Sequence, residues 1–182
     1  ILPPVGVSIS IKYHLMNVEI TDQVATTYVD QVFVNEAPFQ IEGTYIFPLS
    51  EGVSVSEFAM FVDGERLEAE MLDSEKARQI YEDIVRQRND PALLEYMGGG
   101  MFRARVFPIP AKGEKRIQLE YSEILKADAG LVKYQYPLNT EKFSNRPLEK
   151  VSVSVNLHST SPLKAIYSPS HQIIVNRNGE HD

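Results

Sequence analysis

The sequence contains no cysteine and no tryptophan. Without cysteine there is no disulfide framework, no thiolate nucleophile and no zinc site built on thiolate ligands. The sequence also lacks a run approaching the roughly 18 to 20 apolar residues that span a bilayer, so membrane insertion is not expected. It opens at Ile1 without an initiator methionine or a signal-like segment, which is typical of a trimmed or processed chain.

Positive charge is also scarce. The 182 residues include 18 Lys and Arg against 25 Asp and Glu, so the formal net charge is -7. Such a surface repels polyanions, and binding to nucleic acid is therefore not expected. The hydrophobic content of 43% is sufficient for a folded core. No linker-like run divides the chain, so we expect one domain over residues 1–182.

Apolar and polar residues alternate along several segments, which is typical of strands with one dry and one wet face. Near the start, the odd-numbered residues are apolar or aromatic: Val5, Val7, Ile9, Ile11, Tyr13 and Leu15. The same period of two recurs over 151–157, and Asp63-Gly64 predicts a hairpin turn between strands 54–62 and 65–71. These patterns predict a mainly β fold, an antiparallel β-sandwich.

One segment has the periodicity of a helix instead. Over about 74–89, apolar residues recur at steps of three and four: Ala77, Ile80, Tyr81, Ile84 and Val85. A helix of this length is marginal alone, so its apolar stripe must pack against the strands. We predict one accessory amphipathic α-helix that covers an open end or edge of a sheet. A helix that faces a ligand is the alternative.

Residue types that carry catalysis or bind metals are present, but not at the spacing that such sites need. The histidines lack metal-ligand spacing and are expected to be surface imidazoles: His14, His158, His171 and His181. Ser170 precedes His171, yet no Gly-x-Ser-x-Gly motif accompanies the pair. We therefore predict a chain that is not an enzyme, with no catalytic residue, no cofactor and no metal site.

The segment 75–110 resembles the signature of the VIT domain, the vault protein and inter-alpha-trypsin domain. The family pattern is Ala-x-x-x-Tyr, then Asp-Pro-x-Leu-Leu, then Phe-x-x-x-Val-Phe-Pro-Ile-Pro. The matching residues here are Ala77, Tyr81, Asp90, Pro91, Leu93, Leu94, Phe102, Val106, Phe107, Pro108, Ile109 and Pro110. The likeness covers roughly residues 5–138, and residues 139–182 are expected to add further strands.

This resemblance implies a β-sandwich with an accessory helix that usually precedes a von Willebrand factor A domain. Such proteins include inter-alpha-trypsin inhibitor heavy chains, vault-associated proteins and exported bacterial proteins, so a secreted or extracytoplasmic location is favoured. The implied function is a non-enzymatic protein-protein interaction or scaffolding module, with an A domain of the same longer chain as its partner. The metal motif of that domain, Asp-x-Ser-x-Ser, does not occur in this sequence.

Four arginines near a glycine run predict a local basic patch on an otherwise acidic protein. Arg86 and Arg88 end the predicted helix, and Arg103 and Arg105 follow the glycines at 98–100. A surface of this kind would dock an acidic partner through the helix-and-loop region. Pairing of the same arginines with neighbouring glutamates is the alternative.

A carbohydrate- or matrix-binding adhesion module is the alternative function. Sugar-binding sandwiches use exposed aromatic rings, and without tryptophan the nine tyrosines would have to supply the platform. Tyrosines clustered on one exposed face would favour this function.

The end of the chain predicts one more strand and an open edge. Residues 172–176 are rich in isoleucine and valine, and Asn178-Gly179 is a turn pair with almost nothing after it. We expect the chain to stop short of a return strand. An unpaired C-terminal strand edge would then allow self-association or the addition of a peptide strand.

Overall fold

The computed structural model describes residues 9–48, 53–62, 64–68, 71–72, 92–96, 101–138 and 147–181, and gives the backbone alone for 43–46, 48, 71–72, 92–96 and 101–108. Within these residues the protein is mainly β. The strands are β1 (Ile9–Thr21), β2 (Val24–Asn35), β3 (Ile41–Pro48), β4 (Ser54–Val62), β5 (Glu65–Glu68), β6 (Met71–Leu72), β7 (Ala92–Tyr96), β8 (Met101–Ile109), β9 (Glu114–Ile124), β10 (Ala127–Asp128), β11 (Leu131–Val132) and β12 (Lys150–His158).

The larger sheet has six strands in the order β12-β1-β2-β9-β4-β5. Four of its pairs are antiparallel, as alternation predicts. β12 instead runs parallel to β1, from Tyr13 opposite Lys150 to Thr21 opposite His158. The prediction of a purely antiparallel sheet is therefore wrong at this edge. Residues 133–149 separate β11 from β12, and a parallel return needs a connection of about a dozen residues or more.

The second sheet has four strands in the order β3-β8-β7-β6 and is also mixed. β8 is antiparallel to both β3 and β7, whereas β6 runs parallel to β7 with Met71 opposite Leu94. A small ladder joins β10 to β11 through Ala127 and Val132. The described part of the chain is therefore mainly β with mixed sheets rather than purely antiparallel ones.

The hydrophobic core contains residues of both larger sheets. Phe33 of β2 and Met60 of β4 are fully buried. The same cluster includes Phe47 of β3 and Ile109 of β8. Buried residues of the two sheets therefore belong to one hydrophobic cluster.

Three parts of the predicted fold stay predictions. The helix at about 74–89 lies outside the described residues. The sandwich is a finer arrangement than the mixed sheets just described, and the single domain over 1–182 is not tested by them.

A β-bulge in β1 changes which residues of that strand face the core. The register with β2 shifts between Ile11 and Tyr13, and Lys12 is the extra residue. Beyond the bulge the buried residues are the even-numbered ones: His14, Met16, Val18 and Ile20. The prediction that Tyr13 and Leu15 continue the dry face is wrong, because one inserted residue moves the following side chains to the other face. The backbone N–H of Glu149 donates to the Lys12 carbonyl at 2.9 Å, so the bulge also positions the start of β12.

The hairpin predicted at Asp63-Gly64 is confirmed by the register, but its second strand, predicted to reach residue 71, ends at Glu68, and Met71 pairs with Leu94 of the other sheet. β4 and β5 are antiparallel, with Val62 opposite Glu65 and Ala59 opposite Glu68. Gly64 has a φ of +88°, which is a backbone conformation that glycine adopts without steric cost. The turn residue therefore determines where the chain reverses.

Asn35 at the end of β2 connects that strand to the end of β8. Its side chain is fully buried, and its amide nitrogen donates to the carbonyls of Phe39 at 2.8 Å, Ile109 at 3.2 Å and Pro110 at 2.8 Å. Its amide oxygen accepts the backbone N–H of Ala37 at 2.8 Å. A buried amide with these partners is satisfied and stabilises the corner.

The segment after β12 folds back on itself. The N–H of Ser159 donates to the His181 carbonyl at 2.9 Å, and that of Leu163 donates to the Glu180 carbonyl at 2.7 Å. Residues 172–176 are exposed and are not in a strand, so the predicted C-terminal strand is wrong. A strand needs a ladder partner, and the described partners at this end belong to Glu180 and His181 instead.

Candidate docking surface

The basic patch predicted from the sequence is only partly within the described residues. Arg86 and Arg88 lie outside them. Arg103 and Arg105 occupy positions two residues apart in β8, and Arg103 is opposite Glu95 of β7. The structure therefore places two of the four arginines on one strand, and the patch itself stays a prediction.

The family signature also lies only partly within the described residues. Leu94 lies in β7 opposite Ala104, and the aromatic-proline part of the signature lies in β8. Pro110 directly follows β8, and its carbonyl accepts the N–H of Gly113 at 3.1 Å. The signature thus ends in the turn that leads to β9. The other residues in the signature are Leu93 in β7, Phe102, Val106, Phe107, Pro108 and Ile109 in β8, and Ala77, Tyr81, Asp90 and Pro91 outside the described residues.

The face of the six-stranded sheet that carries Asp30 and Gln118, here named the outer face, has a charge cluster. Arg116 Nε lies 2.9 and 3.1 Å from the Asp30 carboxylate oxygens, while Gln118 Nε2 and the Tyr13 hydroxyl each donate to Asp30 at 3.2 Å. Burial raises the pKa of Asp30, but the hydrogen bonds from Arg116 and Gln118 outweigh it and hold that pKa below its ordinary value. The Arg116 guanidinium also stacks 4.5 Å from the centroid of the Phe61 ring.

A second cluster on the outer face is centred on Arg66. Its guanidinium forms ion pairs with Glu57 and Glu68, and its Nε donates to Gln118 Oε1 at 3.3 Å. These side chains are partly exposed, so each pair contributes about 1 kcal/mol or less. Arg66 and Arg116 are therefore both paired with carboxylates of their own sheet.

Between these clusters lies a shallow depression of about 400 Å³. Its lining combines apolar, amide and charged side chains of both signs, among them Leu15, Asn17, Tyr28, Glu57, Arg66, Gln118, Glu120 and Lys150. Charges of both signs do not select an anion or a cation. The depression is therefore an open contour of the outer face rather than an enclosed ligand site.

On the core side of the same sheet, His14 is 3% exposed, which contradicts the prediction that it is a surface imidazole. The Gln31 amide nitrogen donates to His14 Nδ1, and Nε2 lies 3.1 Å from the Tyr136 hydroxyl. Burial lowers the pKa of His14 to about 4, so the ring is neutral near pH 7. Alternation alone assigned His14 to the wet face, because the sequence does not signal the bulge at Lys12.

Other polar groups on the core side also contact one another. The Thr27 and Tyr134 hydroxyls are 2.8 Å apart. Burial raises the pKa values of Tyr121, Tyr134 and Glu123.

The described tyrosines are divided among different environments. Tyr28 is 42% exposed on β2, and Tyr167 is 64% exposed after β12. Tyr121 is buried, and Tyr134 and Tyr136 pack against the core cluster. No row of exposed tyrosines is present among the described side chains, which weakens the carbohydrate-binding alternative.

The Ser-His pair near the end of the chain is a local contact. His171 Nδ1 lies 2.9 Å from Ser170 Oγ, and the N–H of His171 donates to Ser168 Oγ at 3.3 Å. Both described hydrogen bonds of His171 are to serines of its own turn. Neither partner is a carboxylate, which is the group that orients the imidazole in a catalytic triad.

Neither a metal-binding group nor a membrane-spanning helix is found in the described residues. No three His, Asp or Glu side chains in these ranges lie together as a metal-binding group. No helix within the same ranges is long and apolar enough to cross a bilayer.

Residues 11–121 match the family model for the vault protein inter-alpha-trypsin domain, VIT. This range is more than half of the chain and runs from β1 through most of β9. The chain belongs to the VIT family. The resemblance predicted from the signature is therefore confirmed.

The VIT chain matches one part of much longer relatives. Protein mono-ADP-ribosyltransferase PARP4 of Homo sapiens is 31% identical over 102 residues, which cover 56% of this chain and 6% of that protein. The von Willebrand factor A domain-containing protein 5A of Homo sapiens is 27% identical over 132 residues, or 71% of this chain and 17% of that protein. A von Willebrand factor A domain-containing protein of Dictyostelium discoideum is 24% identical over 151 residues, or 82% of this chain and 16% of that protein.

Among solved structures, an M1 zinc metallopeptidase from Deinococcus radiodurans is similar over 94% of this VIT chain and 37% of its own. The identity is 14% and the TM-score is 0.46.

Proposed function

We propose that this VIT chain is a non-enzymatic interaction module that docks against a von Willebrand factor A domain of the same longer protein. The observation that carries the proposal is the match to proteins named for that domain, which covers 71% of this chain and only 17% of the human relative. High coverage of this chain with low coverage of the relative is expected when a single domain is compared with a longer protein that contains a similar domain. The transferase named in another relative is a property of that protein, of which this chain spans 6%.

The docking surface in this proposal is the region 74–105, which contains β7, part of β8 and the predicted helix. Its partner would be an acidic patch of the A domain, recognised by Arg86, Arg88, Arg103 and Arg105. In an interface of this kind, complementary charge at the rim sets orientation and association rate, and the packed centre supplies most of the affinity.

The paired charges of the outer face support this choice of surface. Arg66 and Arg116 already form ion pairs within the six-stranded sheet. To bind a partner they would have to give up those carboxylates, and their replacement would change folding as well as docking. The proposal is therefore tested by charge reversal at Arg86 and Arg88, within the region 74–105.

The test measures binding of the chain to its A domain by isothermal titration calorimetry. We expect the double variant Arg86→Glu and Arg88→Glu to bind about tenfold more weakly or worse, since two attractive rim charges become repulsive. The matched control is Lys126→Glu with Lys133→Glu, which makes the same change in charge at exposed positions near β10 and β11. Equal affinity of both double variants and the wild type would reject docking through this region, and no binding by the wild type would reject the function.

A further inference from the structure

The two edges of the six-stranded sheet are built differently. β5 has four residues, of which Glu65, Arg66 and Glu68 are charged. β12 has nine residues, and between Lys150 and His158 it contains no charge, proline or glycine. Short, charged edges oppose pairing with other chains, whereas a long uncharged edge permits it.

β12 also carries apolar side chains that are only half covered. The register places Val153 beside Met16 and Val155 beside Val18 of β1, so these residues share the core side of the sheet. Met16 and Val18 are 5% and 0% exposed, but Val153 and Val155 are 45% and 48% exposed. The apolar core side of the sheet therefore continues from β1 onto β12, where its side chains remain half-exposed to solvent at the sheet edge.

Nothing in the described part of the chain pairs with the free side of β12. In the described residues, β12 pairs with β1 alone, on its other side. The segment that follows makes its backbone hydrogen bonds at Ser159 and Leu163, which lie beyond the end of the strand. The exposed row and the unpaired edge thus occur on the same strand.

We propose that β12 pairs antiparallel with β12 of a second copy of this chain, about a two-fold axis near Ser154. The proposal is independent of docking to an A domain. It replaces the predicted edge at 172–176, which is not a strand, with an edge that the structure does describe.

The sequence of β12 is complementary to itself in this arrangement. With Ser154 on the axis, Val153 is opposite Val155 of the other copy, and Val151 is opposite Leu157. Each apolar pair then covers the half-exposed row of its partner, which is how cross-strand pairs stabilise a sheet. An interface in which the same patch meets itself closes at two copies.

Charge favours a second copy at this strand. The chain carries a net charge of -7, so most of its surface repels another copy. β12 contains no carboxylate. The antiparallel arrangement places Lys150 opposite His158 of the other copy, so no two carboxylates of this strand face each other. β12 is thus a place where two copies meet without opposing carboxylates.

The first test is sedimentation equilibrium of the chain over a range of concentrations. We expect a reversible dimer that Val153→Lys weakens by about tenfold or more, because a charged lysine then replaces the apolar partner of Val155 in both copies of the pair. Val24→Lys is the matched control, since Val24 is 51% exposed on an inner strand, and it should dimerise like the wild type. A wild type that is monomeric throughout, or equal dimerisation by both variants, would overturn the proposal.

A second test does not depend on how well the lysine variant folds. The chain has no cysteine, so Ser154→Cys introduces a single thiol at the proposed axis. Under mild oxidation we expect rapid formation of a disulfide-linked dimer, with Ser170→Cys on the exposed tail reacting far more slowly. Equal rates for the two thiols would contradict pairing at β12.

Discussion

His14 is the residue whose chemistry depends most on its position in the fold. An imidazole that binds Gln31 and Tyr136 at the core is neutral, whereas the same ring in the unfolded chain takes a proton near its ordinary pKa. The free energy of unfolding must therefore depend on pH.

The sign follows from the folded pKa of about 4 against the ordinary value of 6.5. Since the folded pKa is the lower one, the contribution of neutral His14 is complete above pH 6.5 and is lost as the pH falls from 6.5 towards 4. We expect urea unfolding to show a loss on the order of 3 kcal/mol across this range. The variant His14→Gln should flatten this slope, and the exposed control His171→Gln should keep it. An unchanged slope in His14→Gln would assign the pH dependence to other groups.

Sequence patterns predicted some residues correctly and failed at others for a definable reason. Alternation correctly predicted that Ile117, Leu119 and Tyr121 face the core, because β9 has no bulge within that stretch. Alternation failed for His14 and Leu15, because the bulge at Lys12 exchanges the core and solvent faces of β1 beyond it. No residue type in the sequence marks the position of this bulge. The basic positions Arg86 and Arg88 lie outside the described residues, so that part of the site stays a prediction.

At the scale of single elements, the turn between β4 and β5 depends on the backbone of Gly64. A side chain at this position would meet no atom within 4 Å, so the cost of substitution comes from the positive φ alone. We expect Gly64→Ala to lower the free energy of unfolding by about 1 kcal/mol, measured in urea with an unchanged m-value. Gly64→Asn should cost less, because asparagine visits this region more readily. Equal losses for the two variants would exclude backbone strain as the cause.

Elements were easier to predict than their pairing. Alternation and β-branched residues predicted the strands at 54–62 and 151–157, and a two-residue turn signal predicted the local hairpin. The parallel pairing of β12 with β1 joins residues more than a hundred positions apart, and no local pattern encodes it. The isoleucines of 172–176 are typical of a strand, but without a ladder partner they do not form one.

At the scale of the whole molecule, the VIT chain matches one part of much longer relatives. Two relatives named for a von Willebrand factor A domain are about six times as long as the segment that matches, as coverage of 17% and 16% shows.

The most direct measurement of docking is amide hydrogen exchange of the chain, alone and with its A domain, followed residue by residue. We predict that exchange slows within 74–105 on binding and does not change in β2 and β9. Slower exchange confined to β2 and β9, or no change anywhere in the presence of the A domain, would contradict docking through 74–105.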